Sequence, residues 1–104
     1  MAIVYLLTVH GRVQGVGYRA LVAGSAARYG IRGMVMNLDD GSVEVLAVGE
    51  KKSIDAFINE INVDIPGGAS VMKIDRKELK ESEIVHGKSA GSYLRFSIES
   101  IDGE

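Results

Sequence analysis

The turn Asp39-Asp40-Gly41 constrains this chain more than any other short stretch. It separates two β-like runs, residues 31–38 and 42–48. Asp-Gly between such runs is a strong hairpin signal, because the favoured two-residue turns need positive φ at their centre. A hairpin makes these strands antiparallel neighbours, which excludes a doubly wound parallel sheet. The exclusion is needed, since Gly15-x-Gly17-x-x-Ala20, with Asp39 about 20 residues on, also fits a dinucleotide-binding fingerprint. A chain of 104 residues is also too short for two mononucleotide-binding halves. No Gly-Lys-Ser/Thr follows the glycines, so the stretch is not a Walker loop either.

The remaining segments fall into place around that hairpin. Residues 3–9 put Ile3, Tyr5, Leu7 and Val9 on one face and Val4, Leu6 and Thr8 on the other, the pattern of a central strand. Tyr18, Leu21, Val22, Ser25, Ala26 and Tyr29 form a stripe at helical spacing over 18–29, and Gly30 supplies the stop. A second helix opens within Gly49 to Ser53, with Ile54, Phe57, Ile58 and Ile61 at i, i+3, i+4 and i+7. Pro66-Gly67-Gly68 closes it, and Ala69 to Ile74 reads as a strand. Residues 75–91 are charged and glycine-bearing and read as a loop or irregular edge. Leu94, Phe96 and Ile98 alternate as a final strand, followed by an acidic tail at about 100–104. The order strand–helix–strand–strand–helix–strand, plus one strand, predicts an α+β fold. We expect a ferredoxin-like α/β plait, an antiparallel sheet with both helices on one face, forming a single domain over 1–104.

Composition narrows the function classes. Hydrophobic residues at 46% and charged residues at 25% are ordinary for a soluble globular chain. No apolar run reaches the ~20 residues of a membrane span, and no signal-peptide pattern opens the chain. With no cysteine, disulfides, thiolate metal sites and thiol nucleophiles are excluded; together these three features lead us to expect a cytoplasmic location. A net charge of −2 lacks the basic excess of a generic nucleic-acid binder. An RNA-recognition sheet would need aromatics on its inner strands, and Ser42 to Val48 has none.

The chemistry concentrates in Gly11-Arg12-Val13-Gln14-Gly15-Val16-Gly17-Tyr18-Arg19. Glycines at 11, 15 and 17 let the backbone take positive φ or approach a ligand closely. Residues 14–18 hold no Ser, Thr, Asp or Asn to cap the helix that follows. Arg19 stands in the first turn, where the helix dipole opposes a cation by ~0.3–1 kcal/mol. Free amides and a cation set against the dipole make sense around an anion, so the loop is expected to cradle a phosphate.

The same nine residues closely resemble the signature of the acylphosphatases. Gly33-Met34-Val35-Met36-Asn37-Leu38-Asp39-Asp40-Gly41-Ser42-Val43-Glu44 is similar to that family's second signature, and Pro66-Gly67-Gly68-Ala69-Ser70-Val71 to a weaker third element. The likeness runs from about residue 3 to 74. It implies an α/β plait that hydrolyses the carboxyl–phosphate bond of small acyl phosphates without metal or organic cofactor. It implies that Arg19 is the catalytic, phosphate-binding arginine and that Asn37 positions the attacking water. It further implies phosphate-holding amides at Gln14, Gly15, Val16, Gly17, Tyr18 and Arg19. A small-molecule acyl phosphate and inorganic phosphate as ligands, a monomer, and no nucleic-acid or membrane partner complete the expectation. Three departures stand out: Met34 replaces a frequent aromatic, the 75–91 segment is longer than expected, and the chain continues past the last strand where family chains commonly stop.

These residue types suit that reaction. Acyl phosphates carry a good leaving group, so the main tasks are to offset the dianion's charge and to aim a water. Arg19 offers a planar fork of donors at any relevant pH. Asn37 cannot act as a base, but its carbonyl can accept from water while its NH₂ donates to substrate. As alternatives, Asn37 starts the Asp-Asp-Gly turn through an Asx bond, and the chain is a catalytically idle plait domain binding a phosphate-bearing ligand or a protein partner. Arg12 either steers anions or is merely exposed. Tyr18 and Tyr29 are expected in the core, and His10 and His86 in solvent without metal-ligand spacing.

Overall fold

A computed structural model describes residues 2–100. The elements are β1 (Ala2–Arg12), α1 (Tyr18–Tyr29), β2 (Arg32–Asn37), β3 (Val43–Glu50), α2 (Lys51–Ile61), β4 (Ser70–Leu79), β5 (Ile84–Val85), β6 (Lys88–Ser89), a 3₁₀ turn (Ala90–Ser92) and β7 (Phe96–Glu99). Five strands form one sheet in the order β4-β1-β3-β2-β7, and β5 and β6 form a separate small hairpin. The expected plait is there, with β1, β2, β3 and β4 paired antiparallel.

Period-two alternation sorts the strand side chains into two cores. Leu7, Val9, Val35, Val43, Val45 and Ala47 face the helices and pack with Tyr18, Val22, Ala26, Ile54, Phe57 and Ile61. Val4, Met34, Met36, Leu46 and Val48 face the other way and meet Leu79, Val85, Ala90 and Tyr93. Both faces of the sheet's centre are therefore dry. This accounts for the continuous apolar runs of β2 and β3, which a sheet open to water on one side would not tolerate.

Three expectations are corrected. The strand after α2 does not stop at Ile74 but runs to Leu79, paired with β1 from Val4 to Arg12. It is an edge strand, mostly exposed along its ten residues, and charges on such an edge deter pairing with another chain. Those charges conceal its periodicity. The segment after it is no loose loop: the β5–β6 hairpin and the 3₁₀ turn lie over the second face of the sheet, and Val85, Ala90 and Tyr93 are its buried contacts. Arg32 holds this cover by donating to the carbonyls of Tyr93 at 2.6 Å and Gly91 at 3.3 Å. Finally, β7 pairs with β2 in parallel, not antiparallel, and begins at Phe96, so Leu94 is outside the strand and 90% exposed. The chain reaches β7 by crossing the second face, which returns it to the edge running in β2's direction. The expected acidic tail falls, from residue 101 on, outside the described residues.

Candidate active site

Strand direction assembles the site. β1 and β2 are each antiparallel to β3, and β7 is parallel to β2, so these three strands run the same way. Their last residues, Arg12, Asn37 and Glu99, reach the same end of the sheet. The glycine-rich loop leaves β1 at this end and delivers the chain to α1.

Local sequence shapes the loop. The register with β4 shifts between His10 and Gly11, where Met72 of β4 is left unpaired as a bulge before pairing resumes at Gly11 and Val71. Only glycine fits there: φ is 135°, and an added Cβ would lie 2.2 Å from the carbonyl oxygen of Ser70. Gly17 precedes α1 at φ 76° and ψ 15°, a left-handed start with no side-chain cap. No acidic residue stands in the first turn of α1. The amides expected to bind an anion are thus left without a competing side-chain acceptor.

A pocket of about 240 Å³ opens here, lined by Val13, Gly15, Gly17, Tyr18, Arg19, Ala20, Asn37 and Ile98. Arg19 and Asn37, from different elements 18 positions apart in the chain, share its wall. Arg19 is half-buried, and its Nη1 donates to the Glu99 carbonyl at a long 3.4 Å. No salt bridge ties the guanidinium to a carboxylate among the described residues. Asn37 follows Val35 by two, so it shares the helix-facing side of β2. Its Oδ1 is buried and accepts no hydrogen bond. Orphaned buried acceptors are uncommon, because each costs about 1–3 kcal/mol.

Of the other expected phosphate-binding residues, Gly15, Gly17 and Tyr18 line the pocket. Val16 turns its side chain onto the helix-side core. Gln14 sends its Nε2 to the β2–β3 turn, donating at 2.8 Å to the carbonyls of both Leu38 and Ser42. Tyr18 is buried, and its hydroxyl donates to the Ile61 carbonyl at 2.8 Å, fastening the start of α1 to the end of α2. Burial raises the pKa of this phenol well above its ordinary value. Asp40 accepts from the hydroxyl and amide of Ser42 at 2.5 and 2.9 Å, and these bonds hold its carboxyl below the usual range. The Asx-type contact that closes the hairpin therefore belongs to Asp40, and Asn37 is not its source.

Arg12 donates to the Gly68 carbonyl at 2.9 Å, joining the loop's start to the Pro66-Gly67-Gly68 turn. His10 pairs with Asp75 at 3.0 Å and His86 with Glu44, so each imidazole has a carboxylate partner at the surface. Sequence reasoning missed Ile98 and the Glu99 carbonyl. Alternation marks Ile98 as a strand residue, but its place beside the pocket follows from the parallel register Val35↔Ile98.

Comparison with known proteins adds a second line of support. The family model for acylphosphatase matches residues 5–90. An acylphosphatase of Oceanobacillus iheyensis is 44% identical over 75 residues, 72% of this chain and 82% of that protein. One of Cupriavidus pinatubonensis is 46% identical over 69 residues, 66% of this chain and 76% of the relative. The crystal structure of acylphosphatase from Bacillus subtilis superimposes with a TM-score of 0.73 at 34% identity, covering 94% of this chain and 98% of that one.

Proposed function

The chain belongs to the acylphosphatase family and is an enzyme that hydrolyses acyl phosphates; from that premise we propose that Arg19 and the loop amides hold the phosphate while Asn37 aims the water. The substrate is a small acyl phosphate, R–C(=O)–O–PO₃²⁻. Arg19 and the amides of Gln14 to Arg19 donate to the phosphoryl oxygens. Each hydrogen bond to a charged group is worth about 1.5–3 kcal/mol net. These donors offset the charge that otherwise repels a nucleophile, and they are aimed before the substrate arrives.

Asn37 Oδ1 accepts a hydrogen from water and sets its oxygen in line with the bond to be broken. The water oxygen forms a bond to phosphorus as the phosphorus–oxygen bond to the carboxylate breaks. The carboxylate leaves with that electron pair, and a phosphoryl oxygen takes the water's proton. No residue has to change protonation state, which fits a site built from a guanidinium, a carboxamide and backbone amides. The buried, unpartnered Oδ1 of Asn37 beside Arg19 is the observation that carries this reading.

The reading extends to catalysis without metal by one domain over 1–104, working as a cytoplasmic monomer without nucleic acid. The net charge of −2 and the absence of cysteine support it, and no helix among the described residues is long and apolar enough to cross a membrane. The test is phosphate release from benzoyl phosphate in the presence of a chelator. Wild-type protein turns over undiminished. Arg19→Lys loses nearly all turnover, because an ammonium is a point charge without the guanidinium's fork. Near-normal kinetics in Arg19→Lys would remove Arg19 from the mechanism, and loss of wild-type activity to the chelator would implicate a metal.

A further inference from the structure

We propose that the side chain of Gln14 is a positioning residue that holds Asn37 in register with the phosphate loop. Gln14 belongs to the loop, yet its carboxamide leaves it. Nε2 donates at 2.8 Å to the carbonyl of Leu38, the residue after Asn37, and at 2.8 Å to the carbonyl of Ser42. Two acceptors facing one end of the amide identify that end as the NH₂. Both of its hydrogens are then spent, so this group has none to give a phosphate.

The carbonyls it grips already have backbone donors. Leu38 N–H donates to Ser42 O at 2.9 Å, and Gly41 N–H donates to Leu38 O at 3.2 Å. Hairpin closure does not depend on Gln14. What Gln14 adds is a fixed distance between the loop that holds the phosphate and the turn that carries Asn37. Arg19 and Asn37 come from separate elements, and among the described contacts Gln14 is the side chain that spans directly from the loop to the residue after Asn37. A displacement of 1 Å at a reacting group can cost on the order of 10²-fold in rate. The inference rests on the assignment of Asn37 to water positioning.

Gln14→Met keeps the length of the side chain and removes both donors, while Leu38 O and Ser42 O keep their backbone partners. Its thermal stability is expected to change little. Its kcat is expected to fall about tenfold or more, with inhibition by inorganic phosphate unchanged, and the Asn37 side-chain amide signals in a ¹⁵N–¹H spectrum to shift or broaden. In a double-mutant cycle, Gln14→Met is expected to lower kcat no further once Asn37 is alanine. Full additivity with Asn37→Ala would overturn the proposal, as would weaker phosphate inhibition with kcat intact. If Asn37→Ala keeps wild-type kcat, the water-positioning role itself is wrong. If Asn37→Ala is impaired and Gln14→Met is not, only the role of Gln14 is lost.

Discussion

At the scale of single residues, burial rather than identity separates Tyr18 from its neighbour Arg19. Tyr18 is 1% exposed and its hydroxyl reaches the Ile61 carbonyl, whereas Arg19 stays open to the pocket. Burial raises the folded-state pKa of Tyr18 above that of the unfolded chain. A group raised in this way contributes stability that is present below its unfolded pKa, near 10, and is lost as pH rises beyond it. The unfolding free energy is therefore expected to decline above about pH 10, and Tyr18→Phe to remove that part of the decline. The same variant leaves the Ile61 carbonyl without its partner and is expected to cost about 1–2 kcal/mol at neutral pH. Urea titrations at neutral and alkaline pH check both outcomes, and parallel pH slopes for the two proteins would contradict the first. The helical stripe already placed Tyr18 in the core. Its hydrogen bond to a residue 43 positions away was not legible, because periodicity reports a face and not a partner.

At the scale of elements, α1 shows how one residue type plays different parts at a helix start and in a helix interior. Gly17 starts the helix at φ 76°, and Gly24 lies in its exposed interior without a positive φ; an added Cβ would meet nothing within 4 Å at either. Steric contact therefore cannot distinguish them, and the backbone does. Gly17→Ala forces a left-handed L-residue at a cost of about 1–2 kcal/mol. It is expected to loosen the loop and weaken inhibition by inorganic phosphate. Gly24→Ala restricts the unfolded chain and suits the helix, and is expected to stabilise by about 0.5–1 kcal/mol. Denaturant midpoints of the two variants should move in opposite directions. A shared direction would mean that the left-handed start of α1 is not held in solution. Both helices were readable from their stripes and the end of α1 from Gly30, whereas α2 ends at Ile61, ahead of the Pro66-Gly67-Gly68 turn expected to close it. The length of β4 was not, because an edge strand with charged side chains carries no apolar alternation to read.

At the scale of the whole molecule, the unexpected feature is the cover over the sheet's second face. Tyr93 is 7% exposed, packs with Met34, Met36, Leu46 and Val48, and receives Lys88 4.3 Å from its ring centroid. Tyr93→Ala is expected to destabilise by about 3–5 kcal/mol, the range for removing a buried aromatic. Leu94→Ala, at a side chain 90% exposed, should stay within about 0.5 kcal/mol of wild type. Equal midpoints for the two would mean that the cover contributes no stability. The sequence by itself determined what is local. Alternation and helical spacing identified the main elements, Asp40-Gly41 identified the hairpin, and the glycines with Arg19 and Asn37 marked the candidate site. Tertiary structure alone decided which way β7 runs, where 80–93 lies, and that Ile98, the Glu99 carbonyl and the Gln14 carboxamide come to the pocket or its supporting turn. The physical reason is that backbone conformation and amphipathic faces are encoded over a few neighbouring residues. Strand direction, register and side-chain partners depend on which distant surfaces exclude water together, and no short stretch of chain contains that information.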